Sequence, residues 1–393
     1  MPVPRIPVPR IAVTGPARPA GRLTRRRVLG SLAAVPLLGA GRRAAADLVY
    51  INTWQGEQIY GARFDASRGD LTSTGPVGDA NADWAVQHPR LPILYVATME
   101  EDGVVYVFRI DAATGALGRI GEVATGGAGM GGGGVSYLSI DEPSDTLLVA
   151  NFEGGLVAAL PISAMGRLGP PASIAQDTGS GPNPRQTGPH PHDVQVDPSG
   201  RFALVPDFGA DRVFVYRFDR ATRTLSGGYQ YATDAGSGPR RVAFHPNRHT
   251  VYLLNELTAD IHTLRWDPRG GRLTHRQTLS TDSSGFTGTK SASDLAVSRD
   301  GRFVYAGNRG ENALVVFSVD RRTDLLTTAQ RIPCGGVTPW SFSVHPSGRW
   351  LLVANEASSS VHVFGVDRRT GELADTGKAI SVPHPDSITF CHH

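Results

Sequence analysis

The chain has 393 residues, of which 40% are hydrophobic and 19% charged, with 47 glycines and 28 prolines. That is ample for a large core, and the turn-residue content excludes a predominantly helical protein in favour of many short strands. The formal net charge of +3 reflects basic residues gathered near the N-terminus, so it signals neither a nucleic-acid nor an anionic-membrane surface. Two cysteines, Cys334 and Cys391, cannot form a disulfide scaffold and read as two separate thiols.

In chain order, the first segment stands apart. Thr24-Arg25-Arg26-Arg27-Val28-Leu29 resembles the twin-arginine export motif, and an apolar stretch, Val28–Ala40, follows it. Gly41-Arg42-Arg43 and the small-residue site Ala44-Ala45-Ala46 complete the order of charged, apolar and cleavage regions. Residues 1–46 are therefore expected to be a removable signal peptide, with an uncleaved anchor as the alternative. The remaining chain, 47–393, is expected in the periplasm or outside the cell, unattached to a membrane.

From Asp47 onward one strand–turn–strand unit recurs. Its turns fall at Pro89, Pro143, Pro198, Pro246, Arg299 and Pro346, at intervals of roughly 47 to 55 residues. VQVDPSGRFALVPDFG is a clear copy: Val194 and Val196 alternate with polar residues, Asp197-Pro198-Ser199-Gly200 supplies the turn, and Phe202–Val205 is the returning run. A third strand such as VFVYRFD and a fourth strand-like run complete each repeat. Four-stranded repeats of this length predict propeller blades. DLVYINTWQGEQIYGARFD matches the second half of a repeat, whereas HPDSITF matches a first strand alone. Six complete units and one split unit predict an all-β, seven-bladed propeller of four-stranded antiparallel blades. Its ring would close by pairing N- and C-terminal strands.

In such a ring the residues leading into each innermost strand crowd around the central channel. Those lead-ins are NADWAV, GGGVSYL, GPHPHDV, GSGPRRV, KSASDLA, VTPWSFS and PHPDSIT. The third offers His190 and His192, and the fourth Arg240 and Arg241. Asp207, Asn255-Glu256, Asn308-Arg309 and Asn355-Glu356 follow the second strands. A histidine at a strand's start is more often a turn hydrogen-bonder than a catalyst. His88, His245 and His345, at the repeated turn, read as structural. His192, Arg240, Glu256 and Arg309 differ because they come from neighbouring blades and would converge. They combine a proton-transfer group, a carboxylate and two anion-binding guanidiniums. PHPH followed by Asp193 has some metal-ligand character, but no H-x-x-x-H or C-x-x-C accompanies it, so neither metal nor cofactor is expected. The glycine run Gly126–Gly134 lacks the Lys-Ser/Thr of a phosphate loop.

On RQTGPHPHDVQVDPSGRFALVPDFGADRV, GSGPRRVAFHPNRHTVYLLNEL and SASDLAVSRDGRFVYAGNRG, the chain resembles the seven-bladed propeller lactonases. That family includes 6-phosphogluconolactonases and fungal carboxymuconate lactonizing enzymes, and the likeness runs from about Leu48 to Phe390. It implies a catalytic set of one His, one Glu and two Arg, carried here by His192 (PHPH), Glu256 (NEL), Arg240 (GPR) and Arg309 (NR). Two departures stand out. Pro339-Trp340 replaces the Pro-Arg common in the sixth lead-in, and GGGGVSY replaces a more polar second one. Both suggest a less anionic substrate than a phosphorylated sugar acid.

The resemblance implies a metal-independent lactonase opening a sugar lactone, of aldono- or 6-phosphoglucono-type, to its acid. His192 would be general base and acid, oriented by Glu256, with Arg240 and Arg309 binding carboxylate or oxyanion. His190, Asp207, Asn255, Asp294, Asn308 and Trp340 are the expected substrate-binding residues. The partner is a small-molecule lactone, and the enzyme a monomer. The alternatives are a non-catalytic secreted binding propeller and a muconate-type lactone cycloisomerase.

Overall fold

The computed structural model describes residues 46–100, 103–126 and 134–391. The expected signal peptide lies outside them except for Ala46, as does most of the glycine run. Among the described residues, seven antiparallel sheets of four strands form a seven-bladed β-propeller. The blades are numbered here from their inner strands: Ala82–Gln87, Val135–Asp141, Gln195–Val196, Pro239–Phe244, Ala292–Val297, Pro339–Val344 and, in blade 7, Pro385–Cys391. Blade 7 is the split one. Its inner strand pairs with Asp47–Thr53, with Leu48 opposite Cys391 and Ile51 opposite Ile388, so the ring closes without an open edge.

Position in the blade explains the sequence of each strand. The second strands Ile93–Thr98, Thr146–Asn151, Phe202–Asp207, Thr250–Asn255 and Phe303–Asn308 are buried at every residue. A neighbouring blade covers each of their faces, so they read as near-continuous apolar runs. The outermost strands, such as Arg272–Ser280, have solvent on one side and alternate. Seven hydrophobic clusters result, one at each junction between adjacent blades. The core is thus a ring of interfaces, and the axis is left to polar side chains. The repeated-turn histidines serve that scaffold: His88 and His245 each accept backbone N–H groups within their own turns. Cys334 and Cys391 are buried free thiols.

One irregularity positions the site. In six blades the inner strand carries an extra residue near its start, opposite no single partner on the second strand. Pro239 faces Asn255 and Arg241 faces Leu254, which leaves Arg240 bulged. The same shift singles out Asp83, Ser136, Trp340 and Asp386, and in blade 5 falls within Ser293-Asp294. A bulge bends the strand and re-aims the extra side chain. Blade 3 goes further, since its inner ladder is only Gln195–Val196 plus a bridge from Pro191 to Asp207. Pro189 and Pro191 have no N–H for a ladder, so the His190–Val194 stretch peels away.

Candidate active site

The peeled lead-in of blade 3 is held by specific backbone contacts. Asp207 accepts hydrogen bonds from the N–H groups of His190 and Ala210, both at 2.8 Å. His192 N–H donates to the Pro206 carbonyl at 3.0 Å, and Phe208 N–H to the His190 carbonyl at 2.9 Å. Gly209 permits this closeness: a Cβ there would lie 1.8 Å from the Gly188 carbonyl oxygen. The His190 ring stacks on Phe152 at 4.4 Å, with its Nδ1 on the Phe152 carbonyl.

His192, Arg240, Glu256 and Arg309 do come together, with Glu256 at the centre. Glu256 is 1% exposed; one carboxylate oxygen accepts from Arg240 Nη1 at 2.7 Å, and the other accepts from Arg185 Nη1 at 2.7 Å and forms an ion pair with Arg309 at 2.9 Å. Burial pulls its carboxyl upward, but Arg309, Arg240 and Arg185 together hold it well below the usual carboxylate range. Arg240, 3% exposed, also donates Nε–H to the Ser293 carbonyl at 2.6 Å and Nη1–H to His192 Nε2. Desolvation brings its guanidinium down to about 9 despite Glu256. Arg309 is tied to Ser291 Oγ and the Ala292 carbonyl, both at 3.1 Å.

This geometry changes the part expected of His192. Glu256 makes no hydrogen bond to it, because Arg240 stands between them. Burial first, then Arg240 and Arg241, hold the imidazole well below its usual range, so it is neutral. An arginine can only donate, so Nε2 is the acceptor and Nδ1 carries the proton. The acceptor nitrogen that a general base needs is already engaged. Nδ1 is buried without a partner.

The set opens onto a cavity of about 430 Å³. His190, His192, Arg240, Arg309 and Trp340 line it, together with Asp83, Ser136, Phe152, Arg185 and Trp54, which sequence reasoning did not select. Trp340 lies 5.0 Å from Trp54 at 38°, and the Arg309 and Arg240 guanidiniums sit over its ring at 4.6 and 5.8 Å.

Four expected binding residues are placed elsewhere. Asp207, Asn255 and Asn308 do not line the cavity. Each is a fully buried side chain at a strand end: Asp207 fixes the lead-in, Asn255 donates to Asp260 at 2.7 Å, and Asn308 bonds Thr281 and Asp282. Asp294 is paired with Arg241 at 3.3 Å and accepts the N–H groups of Leu295 and Phe342. Arg241 is itself clamped between Trp84 at 4.4 Å and Tyr137 at 4.3 Å. Of the missed residues, Arg185 had a signal in the RQTGPHPH segment, whereas Phe152 and Trp54 follow strand ends with no polar signature. No group of three or more His, Cys, Asp or Glu side chains suited to a metal occurs among the described residues.

Comparisons with known proteins converge on one family. Residues 49–390 match the family model described as "Lactonase, 7-bladed beta-propeller". The chain is 29% identical over 348 residues to a 6-phosphogluconolactonase of Bacillus subtilis, covering 87% of this chain and 98% of that protein. A 6-phosphogluconolactonase of Pectobacterium carotovorum is 30% identical over 289 residues, covering 73% and 81%. Among solved structures, the periplasmic gluconolactonase PpgL of Pseudomonas aeruginosa shares 31% identity and a TM-score of 0.81, over 88% of this chain and 99% of that one. With its ring, its arginine–glutamate cluster and its matched length, the chain belongs to the seven-bladed β-propeller lactonase family.

Proposed function

We propose that the protein hydrolyses an unphosphorylated aldonolactone outside the cytoplasm, without a metal ion. The observation that carries this reading is the pair of Glu256-held guanidiniums, Arg240 and Arg309, at a cavity walled by Trp340 and Trp54. A lactone carbonyl placed against them would develop its oxyanion beside fixed positive charge, with no reorganisation at the moment of reaction. An aromatic face suits the C–H face of a sugar ring, and Trp340 occupies a position where an arginine would favour a phosphate. His192 already takes an N–H from Arg240, which supports a role in orienting that guanidinium rather than in holding a metal. Export is supported by the twin-arginine-like segment and by the 31% identical periplasmic gluconolactonase.

The test is hydrolysis of glucono-δ-lactone and of its 6-phosphate by the protein lacking residues 1–46, with and without EDTA. The reading expects EDTA-insensitive turnover and a higher kcat/KM for the unphosphorylated lactone. Preference for the 6-phosphate would overturn the substrate assignment, and loss of activity in EDTA the metal-free one.

A further inference from the structure

The arginine cluster supplies charge but no proton that moves easily. Glu256 is ionised with both oxygens engaged, the guanidiniums keep their protons, and Nε2 of His192 is taken. Lactone opening needs a group that accepts a proton from water and another proton transfer to the departing ring oxygen. Across the cavity, the junction of blades 7 and 1 holds two carboxyl groups unaccounted for by that cluster.

Asp83 and Asp386 are the bulged residues of their inner strands. Asp83 lines the cavity beside the residues already described, and Asp386 lies behind it at 0% exposure. Neither Asp386 oxygen meets a donor at hydrogen-bond geometry. Their inner strands pack side by side where blades 7 and 1 meet, and burying two carboxylates at one junction is unfavourable unless they share a proton. Arg240 and Arg241 are the cations facing Asp83. Burial outweighs them and pushes its carboxyl up to about 6, while burial and the Asp83 charge drive Asp386 well above the usual range.

Resting on the lactone-hydrolysis reading, we infer that Asp83 is the general base and acid of the reaction and that Asp386 is a positioning residue holding the shared proton. Water attacks the carbonyl carbon, forming the new C–O bond, and passes one proton to the Asp83 carboxylate. Collapse breaks the bond between that carbon and the ring oxygen, and Asp83 returns the proton to the ring oxygen as it becomes a hydroxyl. The new acid ionises into solvent, and the carboxyl pair is restored.

The experiment compares the wild-type chain with Asp83→Asn and Asp386→Asn, using glucono-δ-lactone across pH 4–8. The wild type is expected to gain kcat as pH rises through about 6. Asp83→Asn loses kcat by about 100-fold or more with KM little changed, as for removal of a general base. Asp386→Asn retains activity within about tenfold, and its limb moves to lower pH because the neighbouring carboxyl is gone. Infrared difference spectra at pH 7 lose a protonated-carboxyl band in Asp386→Asn, whatever the activity. Wild-type kcat and limb in Asp83→Asn, with activity abolished in Arg240→Met, would overturn the inference and leave the lactonase reading intact. No lost infrared band would overturn the shared proton, and a wild type inert on every lactone would defeat both.

Discussion

The two walls of the cavity are built on opposite electrostatic plans. On the blade 3–5 side, Glu256 binds three guanidiniums, and Arg240 commits its Nε and Nη1 donors to Ser293, Glu256 and His192. On the blade 6–7–1 side, Trp340 and Trp54 offer ring faces, Asp83 lines the cavity, and the buried Asp386 on the adjacent inner strand has oxygens that meet no donor. The first wall is locked: one carboxylate holds three guanidiniums, leaving net positive charge that does not change near neutral pH. The second is soft, because burial has brought Asp83 to about 6, where it exchanges protons. Fixed charge and exchangeable proton are thus held on separate blades. The two remain electrostatically linked, because Arg240 and Arg241 face Asp83 and offset part of the upward pull of burial on its carboxyl.

Breaking the locked wall should have the largest effect. Arg240→Met is expected to lower kcat/KM by about a thousandfold, equivalent to about 4 kcal/mol, by removing an oxyanion donor and freeing His192. Arg240→Lys should not restore it, because one ammonium cannot reproduce the planar fork spanning three partners. Steady-state kinetics on glucono-δ-lactone checks both. Glu256→Ala leaves buried guanidiniums unpaired and is expected to cost about 3–5 kcal/mol of stability, read by denaturant unfolding.

The soft wall should respond in the opposite direction. The folded-state pKa of Asp83 is raised above the unfolded value, so the folded chain binds the extra proton and loses stability as pH rises from about 4 through about 6. Asp83→Asn should therefore gain stability at pH 7–8 relative to pH 4, by up to about 3 kcal/mol, in parallel thermal or denaturant melts. A loss of stability at pH 8 would make the soft wall as locked as the other. The smallest effect is expected at the aromatic face. Trp340→Ala should raise KM about tenfold, near 1.4 kcal/mol, with kcat little changed, and Trp340→Arg should shift preference toward the 6-phosphate.

The sequence disclosed the scaffold more fully than the chemistry. Turn prolines mark the period, and the half-repeats at Asp47 and Pro385 disclose the closing pair because each lacks its complement. Lead-in position also picked out His192, Arg240 and Trp340. It failed at the second-strand ends, where successive residues point opposite ways: Glu256 reaches the arginines, whereas Asn255 turns to Asp260. Dipeptides such as Asn-Glu do not say which member faces the channel. Asp83 and Asp386 stood in the lead-ins NADWAV and PHPDSIT, but each alone resembles an ordinary surface aspartate. Only ring closure brings these distant carboxyls together. The proton-transfer part expected of His192 depended on its neighbour, and sequence spacing did not reveal that Arg240 would claim Nε2.

The bulges have a consequence for how such an enzyme diversifies. A bulged residue contributes little to the ladder, so its side chain can be exchanged while the neighbouring pairs, such as Pro239 with Asn255 and Arg241 with Leu254, keep their register. Positions 136 and 340, bulged and lining the cavity without a part in the proton or oxyanion chemistry, therefore act as exchangeable sockets on its rim. New specificities can arise there one blade at a time, and a library restricted to those sockets would explore substrate range while sparing the inter-blade core.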